Sequence, residues 1–194
     1  WGANGNPALT LYRMEVSTAA DLTGTVFSSA TVLTTATVSG LTPRTTYYLR
    51  VLALNHAGTA TTFDATKTTG TLANPPASSY ASASSTDTLT LSWSPNGDPA
   101  ATPFELQLAT SSDFGGTVSS SQTVLTTATI AGLALNTTYY LRARAFGLQG
   151  EPTTFDVVVA TITLAGPPLG AAAIAPSTAS VGLTWGAGGN PAGT

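Results

Sequence analysis

Residues 123–150 read TVLTTATIAGLALNTTYYLRARAFGLQG, and residues 31–58 read TVLTTATVSGLTPRTTYYLRVLALNHAG. Two stretches this alike make the chain a repeat. In each copy a Leu-x-[Pro/Leu]-x-Thr-x-Tyr turn feeds a strand with period-two alternation. Tyr47, Leu49, Val51 and Ala53 fall on one face, and Tyr48, Arg50, Leu52 and Leu54 on the other.

Working outward, Trp1, Trp93 and Trp185 stand 92 residues apart, and the segments between them align without a gap. A constant period is the mark of a tandem array. About half of the aligned positions are identical, so each copy serves as a control for the other. A residue present in one copy alone is a poor candidate for a repeated site.

The complete copy spans residues 73–165. Pro75-Pro76 reads as a stiff linker into an edge strand, because proline donates no ladder hydrogen bond. Leu89, Leu91 and Trp93 then share one face of a half-buried strand. The turn Pro95-Asn96-Gly97-Asp98-Pro99 ends it. The next strand points Phe104, Leu106 and Leu108 inward and Glu105 and Gln107 outward. Its counterpart has Tyr12, Met14 and Val16 against Arg13 and Glu15. Short strands follow near 117–121 and 128–130, then the corner strand, then a last strand within 153–163. Seven short strands without helical periodicity predict an all-β, two-sheet sandwich of about 92 residues per repeat. By the same phase, residues 1–72 are a sandwich lacking its first two strands, and residues 166–194 are the first two strands of a third.

These features resemble the fibronectin type III domain. The resemblance rests on the strand-end Trp1, Trp93 and Trp185, the corner pairs Leu41 with Tyr47 and Leu133 with Tyr139, Ala53 and Ala145 near the end of the corner strand, and Gly58 and Gly150 in the hairpin after it. Leu135 where Pro43 stands, and Gly147 where Asn55 stands, depart from the pattern at turns only. The resemblance implies an immunoglobulin-like sandwich whose Trp, Leu and Tyr are core residues. It also implies that each corner tyrosine hydroxyl bonds nearby backbone.

Two readings account for the phase of the ends. The 194 residues are a window cut from a longer covalent array, or the free strands of one chain complete the truncated sandwich of the next. Residues 185–194 duplicate the role of residues 1–10, so a complemented domain has two claimants for one Trp site, which favours the window.

Composition narrows the function classes. Charged residues are 8% of the chain, against roughly 25% in an average soluble protein. A net charge of −3 without a basic cluster argues against nucleic acid or anionic lipid as partner. No apolar run is long enough to span a membrane. With no cysteine, neither a disulfide nor a thiolate metal site is available.

No residue set demands a reaction, a metal or a cofactor. His56, the single histidine, is replaced by Leu148 in the second copy and reads as a hairpin residue. Asp21 with Asp113, and Asp64 with Asp156, recur as isolated acids. Their spacing matches neither a carboxylate pair across a cleft nor a calcium loop, and turn formation explains Asp21 and Asp113. Arg50 and Arg142 recur beside Tyr48 and Tyr140, where cross-strand packing is the default and partner or sugar binding the alternative. Asn136-Thr137-Thr138 fits an N-glycosylation acceptor, and the Ser and Thr excess fits O-linked sugar or simple strand propensity.

The function expected from these readings is a non-catalytic structural array in an extracellular fibre, stalk or cell-surface protein, self-associating with further copies and carrying covalent glycans. The alternative is a spacer in a secreted polysaccharide-degrading enzyme or a large adhesin.

Overall fold

The computed structural model describes residues 1–83 and 85–192. It is all-β, with thirteen strands among the described residues. The chain divides into two compact units. The first is built mainly on Trp1–Asn74, the second mainly on Pro75–Asn96, Ala100–Phe146 and Glu151–Thr194.

The second unit contains the complete sandwich. Strands β5 (Ala77–Ala83), β6 (Leu89–Ser94) and β9 (Thr127–Ile130) form one sheet in the order β5-β6-β9. Strands β7 (Phe104–Ala109), β8 (Ser119–Thr123), β10 (Thr138–Ala145) and β11 (Val159–Ile162) form the other, in the order β11-β10-β7-β8. All pairings are antiparallel. The period-two faces of the sequence meet between the sheets. Leu89, Leu91, Leu106, Leu141 and Ala143 have no exposed surface, and Trp93 packs edge-on to Phe104 at 5.5 Å between ring centroids.

The first unit holds one four-stranded sheet, β2-β1-β3-β4, of β1 (Leu11–Ser17), β2 (Val26–Thr31), β3 (Thr46–Leu54) and β4 (Lys67–Gly70). It corresponds strand for strand to β8-β7-β10-β11. Its core of Met14, Val16 and Tyr47 is lined by Trp1, Ala36, Val38, Leu41 and Leu49, all only partly buried. Residues 35–38, TATV, match TATI of β9 yet form no strand, because they have no neighbour like β6 to pair with.

The remaining strands, β12 (Leu169–Ser177) and β13 (Ser180–Gly186), make a two-stranded sheet. The expectation of a core role for Trp185 needs correction, since the side chain is 61% exposed. The sheet that would cover it is not among the described strands. Trp1, Leu41 and Leu133 are half-buried rather than core, whereas Trp93, Tyr47 and Tyr139 are buried.

Backbone geometry repeats as faithfully as sequence. Asn96-Gly97 takes positive φ at both residues (54° and 87°), the type I′ turn that this dipeptide favours. Asn4-Gly5 and Gly188-Gly189 do the same one period away. Leu22 and Phe114, bulky residues at φ 56° and 58°, are a less common pair. The Phe114 ring lies against the Arg142 guanidinium.

Candidate functional site

The outward face of β7 and β10 carries both arginines of the second unit, with Glu105 and Gln107 beside them. The register sets Arg142 opposite Gln107 and Arg144 opposite Glu105. Arg142 donates from Nε and Nη2 to Gln107 Oε1 at 3.1 and 2.8 Å, and Arg144 Nε donates to Glu105 Oε2 at 2.6 Å. The guanidinium of Arg142 lies between two rings, 3.8 Å from the centroid of Phe114 and 3.9 Å from that of Phe155. Phe155 also stacks on Arg144 at 4.7 Å. Stacking of this kind satisfies both faces of a planar cation. The left-handed turn at Phe114, closed by its N–H to Ser111 O, brings that ring under the arginine. Burial, and next the charge of Arg144, pull the Arg142 pKa below its ordinary value.

The first unit has the same ladder with its charges exchanged. Arg50 donates twice to Glu15 Oε2, at 3.0 and 2.8 Å, and stacks on Phe63 at 3.8 Å, while Arg13 approaches Glu15 Oε1 at 3.4 Å. Arg13 stands where the second copy has Glu105, and Glu15 where it has Gln107. The rings stacked on Arg50 and Arg142 are thus phenylalanines, Phe63 and Phe155 from the segment after the corner strand and Phe114 from the turn after β7. The signal was present in the sequence, since Thr-Thr-Phe-Asp recurs at 61–64 and 153–156. The arrangement covers its own cations, and Glu105, read as outward and polar, is buried beneath them.

At the corner, Tyr47 Oη accepts from Thr42 N at 2.9 Å and Tyr139 Oη from Ala134 N at 3.0 Å. Thr163, buried, donates to Ala134 O at 2.6 Å and accepts from Thr137 N at 3.0 Å. Thr71 repeats both bonds, to Thr42 O at 2.7 Å and from Thr45 N at 3.0 Å. Tyr139→Phe leaves the Ala134 amide without its acceptor. It is expected to cost on the order of 1 kcal/mol or somewhat more. An unchanged denaturation midpoint for the second unit would refute this. Asn136 sits in this turn at φ 41°, half-buried, with its N–H on Leu164 O.

Each linker is clamped by the turn that follows the Trp strand. Asn74 N donates to Asp98 Oδ1 at 3.0 Å. One period later Asn190 does more, accepting from Gly166 N at 2.7 Å and donating Nδ2 to Gly166 O at 2.8 Å. Asp98 is 6% exposed and its Oδ2 has no partner. Burial raises its pKa, with the Asn74 amide pulling the other way. A raised native pKa means that the folded chain holds the proton more readily than the unfolded one. Stability therefore rises as pH falls through the native pKa, and the penalty is fully present at neutral pH. Asp98→Asn, which restores the Asn190 arrangement, is expected to stabilise the protein by about 1 kcal/mol or more at pH 7. The gain should shrink towards pH 3. Equal midpoints for the two proteins at pH 7 would overturn it.

The remaining candidates are turn residues. His56 is exposed in the hairpin after β3. Asp21 Oδ1 accepts from the Thr23 hydroxyl and amide, and Asp113 Oδ1 from the Ser111 hydroxyl and Gly115 amide. These bonds, the hydroxyl first in each case, hold both carboxyls below the usual carboxylate range. Asp156 Oδ2 accepts from the amide and hydroxyl of Ser79, tying β5 to the approach to β11, while its counterpart Asp64 lines an open cleft. Among the described residues, no three His, Cys, Asp or Glu converge as a metal site. Among the described residues no helix is long and apolar enough to cross a membrane.

Comparison with known proteins bears on the architecture. The chain is 30% identical over 142 residues to chitinase A1 of Niallia circulans, a match covering 68% of this chain and spanning 19% of that enzyme's length. A two-domain fibronectin type III segment of chicken tenascin superposes with a TM-score of 0.56 at 15% identity, covering 82% of this chain and 95% of that one. The FN1-FN3 domains of chicken CNTN1 superpose with a TM-score of 0.43 at 15% identity, over 80% and 57% of the two chains. The family model described as "Fibronectin type III domain" matches residues 1–69 and again 74–159. With Trp, corner tyrosine and sheet order recurring at one period, the chain belongs to the fibronectin type III domain family.

Proposed function

We propose that this chain is a non-catalytic segment of a structural array in an extracellular fibre, stalk or cell-surface protein. The supporting observation is the joint. The same residue position clamps the linker at Asn74 and at Gly166, and the same type I′ turn presents it, so the array repeats its connections as well as its domains. Tandem repetition of this kind extends length at little cost in contacts per domain. The Arg and Phe ladders stabilise the sheets and leave neutral Ser and Thr edges for neighbouring copies or for covalent glycans. Electron microscopy and intact mass of the native protein test this. Filaments, or masses above the polypeptide value, are expected; unmodified monodisperse monomers would overturn it.

The second reading, a spacer within a secreted polysaccharide-degrading enzyme, draws on the similarity to chitinase A1. Sequencing the gene outward from both ends separates the two. Further copies of the 92-residue repeat support the array, and a catalytic domain supports the spacer.

A further inference from the structure

The flank where β8 turns into β9 carries an apolar pair that takes no part in the core. Val124 and Leu125 are 55% and 61% exposed in the complete sandwich, and Val32 and Leu33 are 46% and 63% exposed one period earlier. Neither pair sits in a frayed loop. The amide of Leu125 donates to Thr123 Oγ1 and that of Leu33 to Thr31 Oγ1, each at 3.0 Å, so one closed turn presents both pairs to water. The flank is also identical where other exposed positions differ. TVLTTAT stands at 31–37 and again at 123–129, whereas the exposed His56, Ala57 and Thr66 face Leu148, Gln149 and Val158 in the second copy.

The strand leading into that turn lacks the usual guards of a sheet edge. A free edge offers N–H and C=O groups to any extended strand, and proteins block it with charge, proline or a bulge. Elsewhere these devices are present. β5 is entered through Pro75 and Pro76 and carries a register irregularity, and Lys67 stands on β4. β8 and β2 are edge strands in unbroken register with β7 and β1, and nothing among the described residues pairs with their outer side. No Asp, Glu, Lys, Arg or Pro occurs from Leu22 to Thr42 or from Phe114 to Leu141.

We infer that this flank is a lateral contact between copies of the chain. The edge β8 or β2 of one copy pairs antiparallel with the same edge of another, and the Val-Leu turns pack across the seam. The inference rests on the array reading and specifies its side-to-side contact. Two properties select another copy as the occupant. An edge without charged side chains is matched by another neutral edge, and gives an acidic or basic partner nothing to pair with. A chain with the same 92-residue period presents one such edge for each edge here. Each edge is five or six residues long. Alone it is too short to bury the roughly 1,200 Å² of a stable interface, so the contact strengthens with every further repeat engaged.

Sedimentation velocity over a concentration series, with hydrogen exchange on the same samples, tests this. Reversible association of 19.4 kDa chains is expected by about 1 mM, with slowed exchange at 26–33 and 118–125 in the associated form. Leu33→Lys combined with Leu125→Lys puts a charge on each turn and leaves the core alone, because both side chains already face water. The double variant should associate about tenfold more weakly, or less still, at an unchanged denaturation midpoint. Val157→Lys, 64% exposed on the approach to β11 at the opposite edge of that sheet, should associate as the wild type does. The contact is overturned by a wild-type chain monomeric throughout, by a double variant that associates normally, or by equal weakening from Val157→Lys. Association without protection at either edge, or a sugar attached within 123–127, would overturn it too. Filaments of the native protein alongside any of these results would uphold the array reading and remove only this contact.

Discussion

Trp93→Ala is expected to destabilise the second unit by about 3 to 5 kcal/mol, enough to leave it largely unfolded. The ring is 5% exposed, contacts Phe104 edge-on, and shares its strand face with Leu89 and Leu91, which are fully buried. Removing it opens a cavity between two sheets that backbone pairing prevents from collapsing. Trp93→Phe should cost much less. It keeps most of the packing and removes an indole N–H that is buried without an acceptor. Circular dichroism during chemical denaturation distinguishes the two variants. A Trp93→Ala protein that keeps its wild-type midpoint would show that the ring is not core.

Leu141→Ala should be nearly as costly, at about 3 to 5 kcal/mol, while Leu49→Ala at the equivalent position should lose less than half of that. The sequences around these leucines are almost the same, and both project from the corner strand towards the core. Leu141 meets a second sheet and has no exposed surface, whereas Leu49 is only partly buried. The contrast measures what the second sheet contributes. Hydrogen exchange resolved along the chain reads each unit separately, and equal losses would mean that the two cores are equally closed.

Much of this architecture was legible from period and alternation. The faces of Leu89, Leu91 and Trp93, and of Phe104, Leu106 and Leu108, follow from strand geometry, because successive side chains must point to opposite sides. The turns at Asn4-Gly5, Asn96-Gly97 and Gly188-Gly189 follow from the backbone freedom those residues provide. The outward ladder was only half legible. Gln107 was legible as outward-facing and Arg142 as a recurring strand arginine, but their pairing, and the arrival of Phe114 and Phe155 from loops, are not described by alternation.

By itself the sequence determined the repeat, the strand faces and the turns, since all three are local properties of the chain. The tertiary structure decided which of those local preferences is realised. TATI at 127–130 is a strand because β6 lies beside it, and TATV at 35–38 is not, because nothing does. Trp93 is core and Trp185 is exposed for the same reason. A strand or an apolar face is completed only by the partner that takes its hydrogen bonds and excludes its water.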